Sequence, residues 1–257
     1  MREILEAVAS GEVSPEAAEA ELKGYATGEA GRFDAARTRR SGVPEAILGA
    51  DKTPAEAAAL AETSLETTGR VLATRLDEAQ TSTVRDRLAE TAPAAETRVH
   101  GRAGLLVAHG PEFEPPDLNA QVGVVTAGTG DTVPATEGAV LAREMGATVD
   151  RVDDIGVASL ARLLDQLPGL RAQDVLIVAA GREGALPTVV AGLVDVPLIG
   201  LPVSTGYGHA GNGEAALDGM LQSCTALSVV NIDAGFTAGV QAGLLARQFD
   251  AVRSESG

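Results

Sequence analysis

The chain has 257 residues, 45% of them hydrophobic and 2% aromatic, with a formal net charge of −16. That is enough apolar material for one large domain or two modest ones. The charge, with no basic patch standing out, argues against a nucleic-acid partner, which is held through clustered Lys and Arg and released counterions. A single cysteine, Cys224, rules out an internal disulfide, and no apolar run approaches membrane-spanning length. Lys23 and Lys52 are the only lysines, and such an acid-rich, lysine-poor surface fits a cytosol at high salt, where charge repulsion is screened. The N-terminal MREILEAVASGEVS lacks a signal-peptide core, so a cytoplasmic protein of a halophilic host is expected.

In chain order, residues 1 to 25 read as two short helices. Ile4, Leu5 and Val8 form one stripe, Ser10-Gly11 stops it, and Ser14-Pro15 offers an N-cap followed by Pro. Residues 26 to 42 are Gly, Arg and polar, with Arg37, Arg39 and Arg40 the densest positive charge. GVPEAILG from Gly42 predicts a strand, and Thr53-Pro54-Ala55-Glu56 is a capping box opening a helix to about Thr67. A strand at Arg70 to Arg75, a helix from Asp77 to Glu90 with Val84 and Leu88 inward, and a strand at Gly104 to Ala108 follow. Residues 1–110 are thus expected to form a smaller α/β N-terminal domain, and the Pro- and acid-rich stretch around HGPEFEPPDLN supplies a linker over 111–120.

Beyond it, five apolar runs alternate with helical periodicity: Val122 to Ala127, Thr148 to Val152, Val175 to Ala180, Leu198 to Val203 and Leu227 to Ile232. The helices between and after them fall near 135–145, 157–166, 185–194, 214–223 and 237–247. This alternation calls for right-handed crossovers, hence a three-layer doubly wound parallel sheet over 121–250, with a disordered tail at 251–257. Ligands of such sheets bind outside the carboxyl ends of the strands, which here read TAGTGD, DDIG, AAGREG, PVSTGYG and NIDAGF.

Several of these ends carry chemistry-bearing residues, each with a plainer reading beside it. The turn Thr126 to Asp131 can cradle an anion with its backbone N–H groups, or simply connect a strand to a helix. Glu183, in Gly181-Arg182-Glu183-Gly184, sits where a general base can be aimed into the crevice, and where an acid also suits the helix dipole. His209, after Tyr207-Gly208, can donate to an anion or be merely solvated. Helical spacing aligns Cys224 with Met220 and Ala216, which favours a buried, inert thiol, whereas its place near a helix end beside Ser223 admits a reactive one.

Taken together, Gly128 to Asp131, Arg182-Glu183-Gly184-Ala185-Leu186-Pro187, Gly206-Tyr207-Gly208, Ser223-Cys224 and Val230 to Phe236 resemble the LarB family of nickel-pincer cofactor biosynthesis. The C-terminal domain of that family is similar to aminoimidazole ribonucleotide carboxylases. Phe33-Asp34 to Arg40, Gly42-Val43-Pro44-Glu45 and Lys52-Thr53-Pro54 carry the likeness into the front half. The resemblance implies a carboxylase-hydrolase that adds CO2, drawn from bicarbonate, at C5 of the pyridinium ring of nicotinic acid adenine dinucleotide and releases AMP. It implies Cys224 as nucleophile, Glu183 as proton-transfer group, and Asp131 near substrate or a divalent ion. It also implies a substrate surface of Gly128, Thr129, Gly130, Arg182, Gly184, Ser204, Thr205, Gly206, Tyr207, Gly208, His209 and Asp233. Anhydride cleavage would benefit from Mg2+ or another divalent ion polarising phosphate, and no metal-ligand spacing is visible. Assembly through the α/β domain, as in that superfamily, makes a homo-oligomer the expectation.

The loop His209 to Glu214 departs from the family's Ala-, Ser- and Phe-containing pattern. After the second strand, Asp153-Asp154-Ile155-Gly156 stands where ribonucleotide carboxylases place a histidine. Two other readings therefore stand beside the first: a purine-pathway ribonucleotide carboxylase or mutase, and a non-catalytic nucleotide-binding module. The separation of Glu183 from Cys224 discriminates the last of these.

Overall fold

The computed structural model describes residues 2–11, 13–206 and 208–256. It divides into two compact units, Met1–Glu114 and Pro115–Gly257, with the boundary inside the expected linker.

In the first unit, α1 (Arg2–Ser10) and α2 (Pro15–Lys23) are the two expected short helices. Where no regular structure was predicted, a small hairpin forms from β1 (Ala26–Gly28) and β2 (Gly31–Phe33), followed by α3 (Arg37–Ser41). The arginine-rich stretch is used in ion pairs here: Arg40 forks onto Asp34 and Arg37 meets Glu45 at 2.8 Å. The Arg40 hydrogen bonds hold the Asp34 carboxyl below its ordinary range.

The predicted GVPEAILG strand shrinks to β3 (Ile47–Leu48). The capping box before α4 (Pro54–Thr68) closes as expected: Glu56 N–H donates to Thr53 Oγ1, and the Thr53 N–H donates to Glu56 Oε2 at 2.8 Å. A second such box, Asp77 with Gln80, opens α5 (Glu78–Thr91) after β4 (Arg70–Thr74). The unpredicted β5 (Glu96–His100) pairs antiparallel with β6 (Leu105–His109) at the edge of a sheet ordered β3-β4-β6-β5. As an edge strand with Glu96 and Arg98 in solvent, it lacks the apolar run that marks a buried strand. Val84 and Leu88 are buried with Ala57, Ala61, Val71 and Leu106 in this unit's core.

The second unit is built on five parallel strands. Its elements are β7 (Gln121–Thr126), α6 (Thr132–Glu144), β8 (Thr148–Val152), α7 (Leu160–Arg171), β9 (Val175–Ala180) and α8 (Ala185–Ala191), then β10 (Leu198–Pro202), α9 (Glu214–Leu221), β11 (Ser228–Val229) and α10 (Gly235–Ser256). The sheet runs β11-β10-β9-β7-β8, with every pair parallel. On one face Ala135, Ala139, Ala238 and Ala242 of α6 and α10 pack on Val124, Ile177 and Leu201. On the other, Leu163 of α7, Val190 of α8 and Met220 of α9 pack on Leu176 and Val178. The doubly wound three-layer fold read from the sequence is the one observed. The buried branched side chains that fill it each contribute about 1.5–3 kcal/mol.

The expected disordered tail at 251–257 is corrected: α10 continues through Ser256. Arg253 forks onto Asp174 and donates to the Asn119 carbonyl, while Asp250 accepts the Asn119 N–H, so the last turns are tied to the sheet's amino end. No described helix is long and apolar enough to cross a membrane.

Candidate active site

Because β7 lies between β8 and β9, the chain leaves it to one side for β8 and crosses to the other for β9. That reversal opens a crevice at the carboxyl ends of β7 and β9. A cleft of about 660 Å³ occupies it, lined by the turn after β7, by Asp154 and Gly156 to Ala158 after β8, by Ala180 to Glu183 after β9, by the first turn of α8, and by Thr205. The volume suits a small molecule.

Backbone strain gathers at this edge. Asp154 (φ 61°), Arg182 (φ 52°), Ala210 (φ 50°), Asn212 (φ 57°) and Asp233 (φ 54°) are left-handed without being glycine. Each such residue costs on the order of 1–3 kcal/mol and persists where surrounding contacts hold it, as at functional sites. In the turn Gly181 to Gly184, Arg182 and Gly184 (φ 65°) are both left-handed. A Cβ at Gly184 would lie 2.5 Å from the Ala216 carbonyl oxygen, so α9 forbids a side chain there. Glu183 is thereby lifted to the exposed rim of the cleft, its own carbonyl seated against Gly219 of α9. Its carboxylate makes no hydrogen bond or ion pair among the described residues.

Asp131 occupies the matching place after β7 in the opposite environment. It is 5% exposed. Its Oδ2 accepts the Gly128 N–H at 2.8 Å, and its Oδ1 accepts the Gly181 N–H at 3.1 Å and the Thr205 hydroxyl at 3.2 Å. Burial pushes the carboxyl above its ordinary range, and these three donors partly oppose the shift. Of the two readings of this turn, the cradle loses one donor: the Gly128 N–H is aimed at the chain's own carboxylate. Thr129 and Gly130 remain on the cleft wall.

Asp154, Gly156, Val157 and Ala158 are wall residues that the sequence reading did not assign. The Thr126 hydroxyl donates to Asp153 Oδ1 at 3.0 Å and accepts the Asp154 N–H at 3.1 Å, while Arg162 pairs with Asp154 at 2.7 Å and Arg151 with Asp153 at 3.0 Å. The usable signal is the DDIG strand end, one of the five carboxyl ends at which such sheets bind ligands.

Of the expected loop after β10, Thr205 enters the cleft and Gly206 packs beneath it, where a Cβ would lie 3.1 Å from the Arg182 nitrogen. The Ser204 N–H donates to Asp233 Oδ1 at 3.0 Å, so these two tie the ends of β10 and β11 together rather than line the cleft. Gly208 and His209 are exposed outside it, and Tyr207 lies outside the described residues.

Cys224 departs from the helix predicted for it. Met220 and Ala216 are buried, but α9 ends at Leu221 and the thiol is exposed in the turn before β11. The Ser223 side chain accepts the Thr225 N–H at 3.1 Å, a local bond that competes with the helix. The Thr225 hydroxyl then donates to the Thr188 carbonyl of α8 at 3.2 Å. Cys224 does not line the cleft, yet it is anchored beside the helix that Glu183 opens. It lies five residues beyond Gly219, which touches the Glu183 carbonyl, and five residues of chain span at most about 18 Å. Among the described residues no three His, Cys, Asp or Glu side chains gather as a metal-holding group.

This cleft stands in a domain whose residues 121–256 match the family model described as AIR carboxylase, which makes the protein a carboxylase-type enzyme. Residues 25–105 match the LarB/PurE-like N-terminal domain. With both halves matched, the chain belongs to the LarB family. An uncharacterized protein of Methanocaldococcus jannaschii is 34% identical over 254 residues, covering 96% of this chain and 97% of that one. Among solved structures, Treponema denticola PurE is 17% identical with a TM-score of 0.40, over 53% of this chain and 92% of that one. A PurE2 variant from the same organism is 16% identical with a TM-score of 0.37, over 56% and 98%.

Proposed function

We propose that the protein carboxylates the pyridinium ring of nicotinic acid adenine dinucleotide at C5 and hydrolyses its phosphoanhydride, giving pyridinium-3,5-biscarboxylic acid mononucleotide and AMP for nickel-pincer cofactor synthesis. The observation that carries this reading is Glu183, an unpartnered carboxylate held at the rim of the cleft on a strained turn, with an exposed thiol anchored along the same helix.

A pyridinium ring is too electron-poor to attack CO2. Addition of the Cys224 thiolate at C6 forms a C–S bond and leaves C5 as an enamine-like carbon, which forms the C–C bond to CO2. Glu183 then takes the C5 proton, the C–S bond breaks, thiolate leaves with its electron pair, and aromaticity returns. Covalent addition thus splits one hard step into easier ones. Water adds across the anhydride, and a divalent ion such as Mg2+ would accompany the substrate phosphates. For Cys224 to reach the ring, the substrate must extend from the cleft over the first turns of α8, or a second copy of the chain must bring its thiol, in keeping with the expected homo-oligomer. Light scattering reads the latter.

The test is incubation of the folded protein with the dinucleotide, bicarbonate and Mg2+ at high salt, with mass spectrometry of the small molecules. AMP together with a product heavier by one carboxyl group supports the reading, and Cys224→Ser should abolish the carboxylated product. No turnover by folded protein overturns it and leaves aminoimidazole ribonucleotide as the next substrate to try, an alternative favoured by the carboxylase match over residues 121–256.

A further inference from the structure

One buried side chain joins three strand ends of the cleft. The donors to Asp131 come from the turn after β7 (Gly128), the turn after β9 (Gly181) and the loop after β10 (Thr205). The joint leaves no spare room: a Cβ at Gly130 or at Gly181 would each lie 3.1 Å from Thr205 Oγ1, and one at Gly181 would lie 3.2 Å from Asp131 Oδ1. Two of the three donors are rigid backbone N–H groups, so moving the carboxylate moves the turn that begins at Gly181 and lifts Glu183 two residues later.

We infer that Asp131 is a positioning residue, which as the carboxylate holds the Glu183 turn and the Thr205 hydroxyl in one geometry and acts on the chemistry through them. The hydrogen of the Thr205 hydroxyl is committed to Asp131, so Thr205 turns only lone pairs toward the cleft and meets a ligand donor there, such as a sugar hydroxyl, rather than a phosphate oxygen. The inference about Glu183 rests on its proton-transfer role proposed above; the three hydrogen bonds do not.

Asp131→Asn tests it, because the amide has one acceptor oxygen and must set an N–H against at least one of the three donors. In purified, ligand-free protein, amide hydrogen exchange at Gly128, at Gly181 or at both should quicken by about tenfold or more, with the ladder amides of β7 and β9 unchanged. In turnover with the dinucleotide, kcat should fall by about 10- to 100-fold, the scale of a small misplacement of a reacting group, with KM within about threefold. The kcat loss of Thr205→Val should not add to that of Asp131→Asn, and Thr205→Ser should retain activity. Wild-type exchange at Gly128 and Gly181, a loss carried by KM alone, or full additivity would each overturn the inference. If the wild-type protein fails to turn over the dinucleotide, the proposed function fails and the exchange measurement still decides whether Asp131 joins the turns. Thr205 is exposed, so Thr205→Val carries the kinetic test should Asp131→Asn not fold.

Discussion

Asp131 and Glu183 occupy equivalent places, each in the turn that leads from a central strand into its helix on either side of the crossover. Asp131 points inward, is 5% exposed and accepts three hydrogen bonds; Glu183 points outward, is exposed and accepts none among the described residues. The difference teaches that environment assigns the roles of two acids at one cleft. A fully engaged carboxylate has little capacity left for a proton in flight, whereas an open one at the rim can reach a reacting carbon.

Shortening the free acid should break the comparison most visibly. Glu183→Asp withdraws the carboxylate by one methylene, and kcat should fall by about 10- to 100-fold, while the melting temperature stays at the wild-type value because the side chain is exposed and unpartnered. Equal loss of stability and activity would show that Glu183 is structural. Next comes its seat. Gly184→Val places a branched side chain at φ 65° against the Ala216 backbone, and denaturant titration should show a loss of about 1–3 kcal/mol together with impaired turnover. Wild-type stability would mean the turn is free to relax.

The engaged acid has its own signature in pH. Its folded-state carboxyl lies above the ordinary value of 3.8, so folding takes up a proton in the window between the two, and that contribution is lost as pH rises. The stability of wild type minus that of Asp131→Asn should be constant below the ordinary carboxylate range, decline as pH rises through the raised folded value, and level off above it. A difference that grows with pH would mean that the three donors outweigh burial. The smallest effect is expected far from both acids. Arg253→Met should speed hydrogen exchange in residues 251–256 and leave the cleft turns and turnover unchanged; protection of those residues without Arg253 would show that α10 holds its end by other contacts.

Much of this architecture was legible. The strand and helix alternation after residue 120 gave the doubly wound sheet, and with it the edge where the cleft opens. Thr53 and Glu56 announced α4 through a capping box that the structure closes. Local pattern failed where a side chain made a choice that spacing does not encode. The turn before α6 reads as an open anion cradle until Asp131 is seen to fold back and take the Gly128 N–H. Cys224 fits the period of Ala216 and Met220, but the hydrogen bond between Ser223 and Thr225 draws the chain off the helix and leaves the thiol exposed. The last turns of α10 carry Arg, Ser and Glu and read as tail, because the partner that orders them, Asp174, lies 79 residues earlier. The LarB resemblance supplied the roles proposed for Glu183 and Cys224; the spacing of neither residue could have done so.

The central claim, that the free acid at this cleft serves ring carboxylation, is tested most directly by label from 13C-bicarbonate in the pyridinium product of wild type and Glu183→Gln, both shown to be folded. The account predicts that label enters the ring with wild type and falls by at least about a hundredfold with Glu183→Gln, within the range for losing a general base. Equal incorporation by both proteins would contradict it.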